Sequence, residues 1–369
     1  MNLELDDEQL ALRDTTRRFL AEKAPIAGHV RALLDDPAGV DGTVWRGLAD
    51  LGTTGLLVPE EHGGAEMTMV EAGVVAEELG AALHPGPWLS TAVAAPRALT
   101  RLCKKDVAAP LLAGIADGTT IAAVGFLDRV TVSAEAADDG VVLRGELCGV
   151  SDVAAAGTLL VLGDDPVALY AVDTDAPGFT AQPEPGIDQT RKRFRVSLAG
   201  TPAQRLSGAG SLEVGPVIDD VLIATAADAL GAARAVMGLA VEYAKVRKQF
   251  GQAIGSFQAV QHLCVDMYET VELARSGVIH ALWAADAESD AERHLAALRA
   301  KAFSGRLASV GDNAIQVFGG IGYTWEHDAH LYLKRLLSWS ELLGGPDPYL
   351  TELGAGLTNR GWNGPWLGI

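Results

Sequence analysis

Three cysteines in 369 residues are too few and too far apart for a disulfide framework. Cys103, Cys148 and Cys264 form no Cys-x-x-Cys pair, so they read as buried thiols in a reducing compartment, and no metal site is expected. Basic charge is also scarce: 29 Lys and Arg against 48 Asp and Glu leave a net charge of −19. That balance excludes nucleic acid, whose phosphates demand a basic patch. It also disfavours anionic membrane surfaces, and it reads most simply as an acidic, soluble surface. No run approaches the ~20 apolar residues that span a bilayer. The start, Met1-Asn-Leu-Glu-Leu-Asp-Asp-Glu, lacks the basic region of a signal peptide. A cytoplasmic protein is expected.

What is present is apolar and changes texture twice. Apolar residues make up 49% of the chain, enough for two or three packed units. Residues 5 to about 115 carry helical spacing, for example Trp45, Leu48 and Leu51, with Gly52, Gly55, Pro59 and Gly63-Gly64 as punctuation. The spacing predicts a further helix over 69–79 that Gly80 ends. From about 119 to 210 short apolar runs alternate with Gly, Asp and Pro. Ile121-Ala-Ala-Val-Gly, Val141-Val-Leu-Arg, Thr158-Leu-Leu-Val-Leu and Ala168-Leu-Tyr-Ala-Val read as strands. The turns between them fall at Asp138-Asp-Gly140 and Gly163-Asp-Asp-Pro166. From about 216 onward four helical faces follow. They hold Val236, Leu239, Ala240 and Tyr243, then Val260 to Val278, then Ala297 to Leu307, then Leu331, Leu333 and Leu336. The expected fold is α+β, mainly α. An N-terminal helical domain (1–118) precedes a small antiparallel β domain (119–212) and a C-terminal four-helix bundle (213–369).

Two segments carry the chemistry. Arg247-Lys-Gln-Phe-Gly-Gln-Ala-Ile-Gly-Ser-Phe-Gln-Ala-Val-Gln-His262 and Gln316-Val-Phe-Gly-Gly-Ile-Gly-Tyr-Thr324 place an arginine and paired glycines at helix ends. Arginine offers a charged fork to phosphate oxygens, and glycine lets backbone N–H groups approach an anion. Read alone, Arg247 is equally a cation favoured by a helix C-terminus, and Gly319-Gly320 a helix cap.

Both segments resemble the C-terminal signature of the acyl-CoA dehydrogenase flavoprotein family. Trp45-Arg-Gly-Leu-Ala-Asp-Leu-Gly-Thr-Thr-Gly-Leu-Leu-Val-Pro-Glu-Glu-His-Gly-Gly64 and Val75-Ala-Glu-Glu-Leu-Gly80 resemble its N-terminal helical domain. The resemblance implies bound FAD and an acyl-CoA substrate, with an electron-transfer flavoprotein or similar acceptor. It implies that Arg247 contacts the FAD pyrophosphate of a neighbouring subunit, with Gln249 in the same turn and Phe250 against the adenine. Gln258 is either a polar contact or an exposed helix residue. Gln316, Gly319 and Gly320 would run along the dinucleotide, with Tyr323 and Thr324 near the entrance to the flavin or substrate.

The implied reaction is α,β-desaturation, in which a carboxylate removes the α-proton while hydride leaves the β-carbon. Such a base must be desolvated and well placed. Where the family most often carries its Glu, this chain reads Leu342-Leu343-Gly344, and at the alternative place it reads Val221. Asp219, Asp220, Glu341 and Glu326 are the nearby candidates, Glu326 equally an acid placed to suit a helix N-terminus. The family's flavin-contacting segments are replaced as well, by Val124-Gly-Phe-Leu-Asp-Arg-Val130 and Leu147-Cys-Gly-Val-Ser-Asp152. This pattern is similar to the base-lacking subunit of α2β2 steroid-type acyl-CoA dehydrogenases, which implies a paralogous partner bearing the Glu. A self-sufficient homotetramer with a relocated Glu, or a non-enzymatic scaffold of the same fold, are the alternatives.

Overall fold

Side-chain caps set the first helix starts. In the computed structural model, which describes residues 4–128, 132–137, 140–164, 167–208, 212–287 and 289–358, Asp6 accepts from the Gln9 N–H while the Gln9 side chain accepts from the Asp6 N–H. This capping box opens α1 (Asp7–Lys23). Asp41 caps α2 (Gly42–Asp50), and Thr68 with Glu71 repeats the box at α3 (Met69–Ala81). Helices α4 (Ala95–Leu102) and α5 (Lys105–Ala116) complete this unit.

Gly80 does not end α3, contrary to the sequence expectation; it lies inside the last turn. A Cβ on Gly80 would sit 1.8 Å from the Asp228 carbonyl oxygen, and one on Gly231 would sit 1.8 Å from that of Glu77. The two glycines let α3 and α6 (Gly215–Val246) cross backbone to backbone. Tertiary contact, not local punctuation, selects glycine here.

The central unit holds β1 (Ala122–Val124), β2 (Ser133–Ala137), β3 (Gly140–Ser151), β4 (Thr158–Gly163), β5 (Ala168–Asp173), β6 (Phe179–Glu184) and β7 (Arg193–Arg205). Their order is β1-β4-β5-β7-β3-β2, with β6 also on β7. The strand pairs are antiparallel, as expected, except β1 with β4, which is parallel. The chain between those two strands makes the crossover a parallel pair requires. Strand β7 shows clean alternation: Phe194, Val196 and Leu198 are buried, while Arg193 and Arg195 are exposed.

Helix α6 is the axis of the C-terminal unit. It is long and apolar enough to cross a bilayer, which corrects the expectation that no stretch is, but 72% of that window is buried inside the fold. After the short hairpin β8 (Lys248–Gln249) and β9 (Gln252–Ala253) come α7 (Gln258–Ala287), α8 (Asp290–Ala302), α9 (Ser304–Phe318), α10 (Ala329–Glu341) and α11 (Pro346–Thr358). The third expected helix is therefore two, α8 and α9, joined at Phe303. Pro346 starts α11, as proline's fixed φ suits a first helical position. Leu239 is exposed, and Trp325 is half-exposed but packs on His330 at 4.7 Å with the Lys334 Nζ over its ring; Cys148 is exposed while Cys103 and Cys264 are half-buried, and all three thiols are free. The expected turns at 138–139 and 165–166, residues 129–130, and the apolar Trp362–Trp366 tail lie outside the described residues.

Gly231→Ala is expected to lose at least about 2 kcal/mol of stability, because a methyl cannot enter a backbone contact without moving a helix. Urea unfolding of the variant with an unchanged midpoint would contradict the crossing.

Candidate functional site

Helix α6 stops at Arg247, whose N–H still bonds the Tyr243 carbonyl at 2.9 Å while its ψ of 125° leaves the helix. The hairpin that follows turns through Phe250 (φ 53°) and Gly251 (φ 84°). Two consecutive positive φ angles are what a tight two-residue hairpin needs, but phenylalanine adopts one only at a steric cost. Phe250 is 92% exposed and touches Phe257 edge-on at 6.1 Å between centroids. Arg247 is exposed and makes no ion pair among the described residues. The Gln249 side chain bonds the Lys248 carbonyl, and exposed Gln258 opens α7.

The second turn closes α9. Gln316 is exposed in its last turn, and Gly319 (φ 65°) ends it. A Cβ on Gly319 or Gly320 would meet nothing within 4 Å, so this backbone faces open space. Tyr243 of α6 packs on Phe318 of α9 at 5.0 Å, which puts both turns at the same end of the bundle. Arg247, Gln249, Phe250 and Gln258 thus share one rim with Gln316, Gly319 and Gly320. A free guanidinium and open backbone beside it fit a diphosphate.

A cavity of about 90 Å³ lies where the N-terminal helices, the sheet, α6 and α10 meet. Helix α6 turns Val221, Thr225 and Asp228 into it, one face at successive turns. Asp219 and Asp220 therefore point elsewhere. Asp220 is fully buried, accepts from the Arg101 Nε at 3.1 Å, and has its pKa pushed up to about 6 by burial. Asp219 bonds His294 Nδ1 at 2.9 Å, while Glu352 of α11 takes Nε2 at 3.1 Å. Those bonds, led by the one to Asp219, raise the His294 pKa to about 9.

Leu342 separates the first cavity from a second, of about 160 Å³, that reaches Cys148, Arg193 and Glu341. Glu341 ends α10 on the rim of this second cavity. Glu326 sits exposed in the turn before α10 and lines neither. The separating turn is held tightly. Leu343 (φ 54°) and Gly344 (φ 99°) are both left-handed. The Tyr349 hydroxyl donates to the Leu343 carbonyl at 2.8 Å. Fully buried Lys301 caps α10, donating to the carbonyls of Trp339 (2.6 Å) and Ser340 (3.0 Å), and lies 4.3 Å over the Trp339 ring. Burial lowers its pKa to about 7.

The floor of the first cavity is a buried ion network. Arg335 contacts Asp188 and Asp228, each at 3.2 Å, and donates to Thr190 and to the His84 carbonyl. Arg191 pairs with Asp228 and reaches the same carbonyl. Burial drives the His84 pKa down to about 3, so this ring stays neutral; it stacks on His29 at 5.8 Å. Asp152 (φ 61°) accepts from Ser90 Oγ at 2.8 Å, and burial pushes its carboxyl up to about 6. Asp328, just before α10, and Tyr332 of α10 extend the seam, bonding Arg31 (2.7 Å) and the Ala81 carbonyl (2.7 Å). Sequence reasoning missed Arg335, the Asp188-x-Thr190-Arg191 run and Lys301. For Arg335 and Lys301 the available signal is a charge set on the apolar face of a helix.

Comparison with known proteins agrees with this fold. Residues 6–119 match the acyl-CoA dehydrogenase N-terminal domain and residues 222–355 the acyl-CoA dehydrogenase C-terminal domain. The acyl-CoA dehydrogenase IpdE2 of Mycobacterium tuberculosis is 35% identical, over 94% of this chain and 96% of its own. The benzylmalonyl-CoA dehydrogenase of Aromatoleum aromaticum is 30% identical over 96% of this chain and 98% of its own. Among solved structures, the Tcur3481-Tcur3483 steroid ACAD superposes with a TM-score of 0.85 at 29% identity, covering 95% of this chain and 97% of that one.

Arg335→Met strands two buried carboxylates and is expected to cost about 3–5 kcal/mol in chemical unfolding; a loss below 1 kcal/mol would show the network to be dispensable. The folded-state pKa of His294 lies above the ordinary 6.5. Its contribution is therefore full below pH ~6.5 and fades as pH rises through about 9. The melting temperature should fall over that window, and His294→Gln should flatten the fall. Parallel profiles for the two proteins would refute the clasp.

Proposed function

Since the chain belongs to the acyl-CoA dehydrogenase family, we propose that it is the clamp subunit of a heteromeric, FAD-dependent enzyme that desaturates an acyl-CoA thioester. In this role its bundle end grips the diphosphate and adenine of FAD, while a paralogous subunit supplies the flavin pocket and the catalytic Glu. FAD, when bound, supplies the hydride acceptor. Arg247 would neutralise phosphate charge, and the Gly319-Gly320 backbone would lie along the dinucleotide with Gln316 beside it. Phe250, held out at a hairpin tip, would meet the adenine.

The observation that carries this reading is the cavity wall. At the two places where the family resemblance puts a base, the side chains are Leu342 and Val221, neither of which accepts a proton. The carboxylates that do line this cavity are engaged: Asp188 and Asp228 by Arg335, Asp152 by Ser90. A base for a weakly acidic α-proton must be free to take it. The rim at the other end has the opposite character, an unpaired cation beside open backbone. The related steroid ACAD is itself designated by two names, Tcur3481-Tcur3483, which fits a two-chain assembly.

A second reading rests on Glu341, which faces the second cavity from the end of α10. There the chain would be a self-sufficient enzyme with a displaced base.

Co-expression with a Glu-bearing paralogue is expected to give a yellow complex of both chains, while this chain alone purifies colourless. Arg247→Ala in that complex should weaken FAD retention by about tenfold or more. A lone chain that binds stoichiometric FAD and reduces it with an acyl-CoA would overturn the clamp role. Glu341→Gln is expected to leave flavin reduction in the complex unchanged; its loss with FAD still bound would instead establish the second reading.

A further inference from the structure

Arg193 is the cation at this site with no acceptor. It opens β7 beside the turn at Leu342 and lines both cavities. Arg191 and Arg335, which share the first cavity with it, are tied to carboxylates, whereas Arg193 has no ion pair or hydrogen bond from its side chain among the described residues. Its position is built in. Gly149 lies directly beneath, and a Cβ there would come within 2.4 Å of the Arg193 Nη2. Glycine at 149 therefore makes room for the guanidinium to lean across the sheet toward the cavities. The side-chain hydroxyls of Ser151 and Ser338, which line the first cavity, also lack a hydrogen-bond partner among the described residues.

We propose that the two cavities flanking Leu342 form one site for a short organic carboxylate, with its carboxylate read by Arg193 and its apolar body lodged beside Trp339. The guanidinium fork matches the two oxygens of a carboxylate, and the hydroxyls can donate to whichever oxygen the fork leaves unsaturated. Leu342, Val124 and Trp339 give the site an apolar wall that suits a hydrocarbon stub. Size points the same way. With about 10–15 Å³ of such space needed per water, cavities of about 90 and 160 Å³ have room for a short acid. Phosphate fits less well: a dianion would face a single free cation with Asp152, Asp188 and Glu341 close by.

The test is calorimetric titration of the full chain with butyrate, its neutral isostere butyramide, and inorganic phosphate. Butyrate is expected to bind saturably, with butyramide and phosphate weaker by at least about tenfold. Arg193→Gln should weaken butyrate by a similar factor while leaving the melting temperature unchanged, since the side chain is exposed. The proposal fails if millimolar butyrate gives no saturable heat, if butyramide or phosphate binds as well, or if the variant binds butyrate like the parent. No flavin enters the measurement, so its failure leaves the clamp reading untouched and the reverse also holds.

Discussion

The buried guanidinium of Arg335 holds the three parts of this chain in register. It sits on α10, takes Asp228 from α6, Asp188 and Thr190 from the loop before β7, and the His84 carbonyl from the loop after α3. An arginine in such a place keeps its charge at any pH the protein meets, so the joint does not titrate away. With Arg191, Asp188 and Asp228 it makes a balanced set of two cations and two anions, which is the condition for burying charge at all. Asp328, just before α10, and Tyr332 continue the same face to Arg31 and Ala81. One helix face is thereby stitched to the N-terminal helices and to the sheet.

This joint also decides what the adjacent space can do. A floor of paired charges and a wall of Leu342 and Val221 leave the carboxylates that line it, Asp152, Asp188 and Asp228, each bonded within the fold. The other end of the bundle is built in the opposite sense. There Arg247 is exposed with no ion pair among the described residues, and Phe250 is turned outward against Phe257 alone.

Much of this was legible because the relevant signals are local. The Arg247 and Gln316 turns are contiguous in sequence, and so are the caps and the apolar periodicity of the long helices. Counting along the chain placed Val221 and Leu342 on the cavity, because helix phase carries such counts faithfully. What sequence hides is partnership at a distance. Arg335 finds Asp228 and Thr190 from 107 and 145 positions away. Until those partners are known, an arginine among leucines looks like an interruption of a helix face. Gly80 misleads for the same reason: at a helix end glycine suggests a stop, and only the neighbouring backbone shows that it is a contact. Strand β7 is a different case, since its period-two alternation of Phe194, Val196 and Leu198 is plain in the sequence.

The crossing of α3 and α6 has a genetic consequence. Gly80 and Gly231 answer to one variable, the separation of the two helix axes, since each meets the opposite backbone at the same 1.8 Å. A single methyl at either position forces that separation wider and thereby relieves the other. The harm of two such changes together is then well short of their sum, the signature of strong epistasis. Drift at this pair is consequently blocked at the first step and nearly free at the second, which makes the crossing a place where lineages stay locked rather than wander.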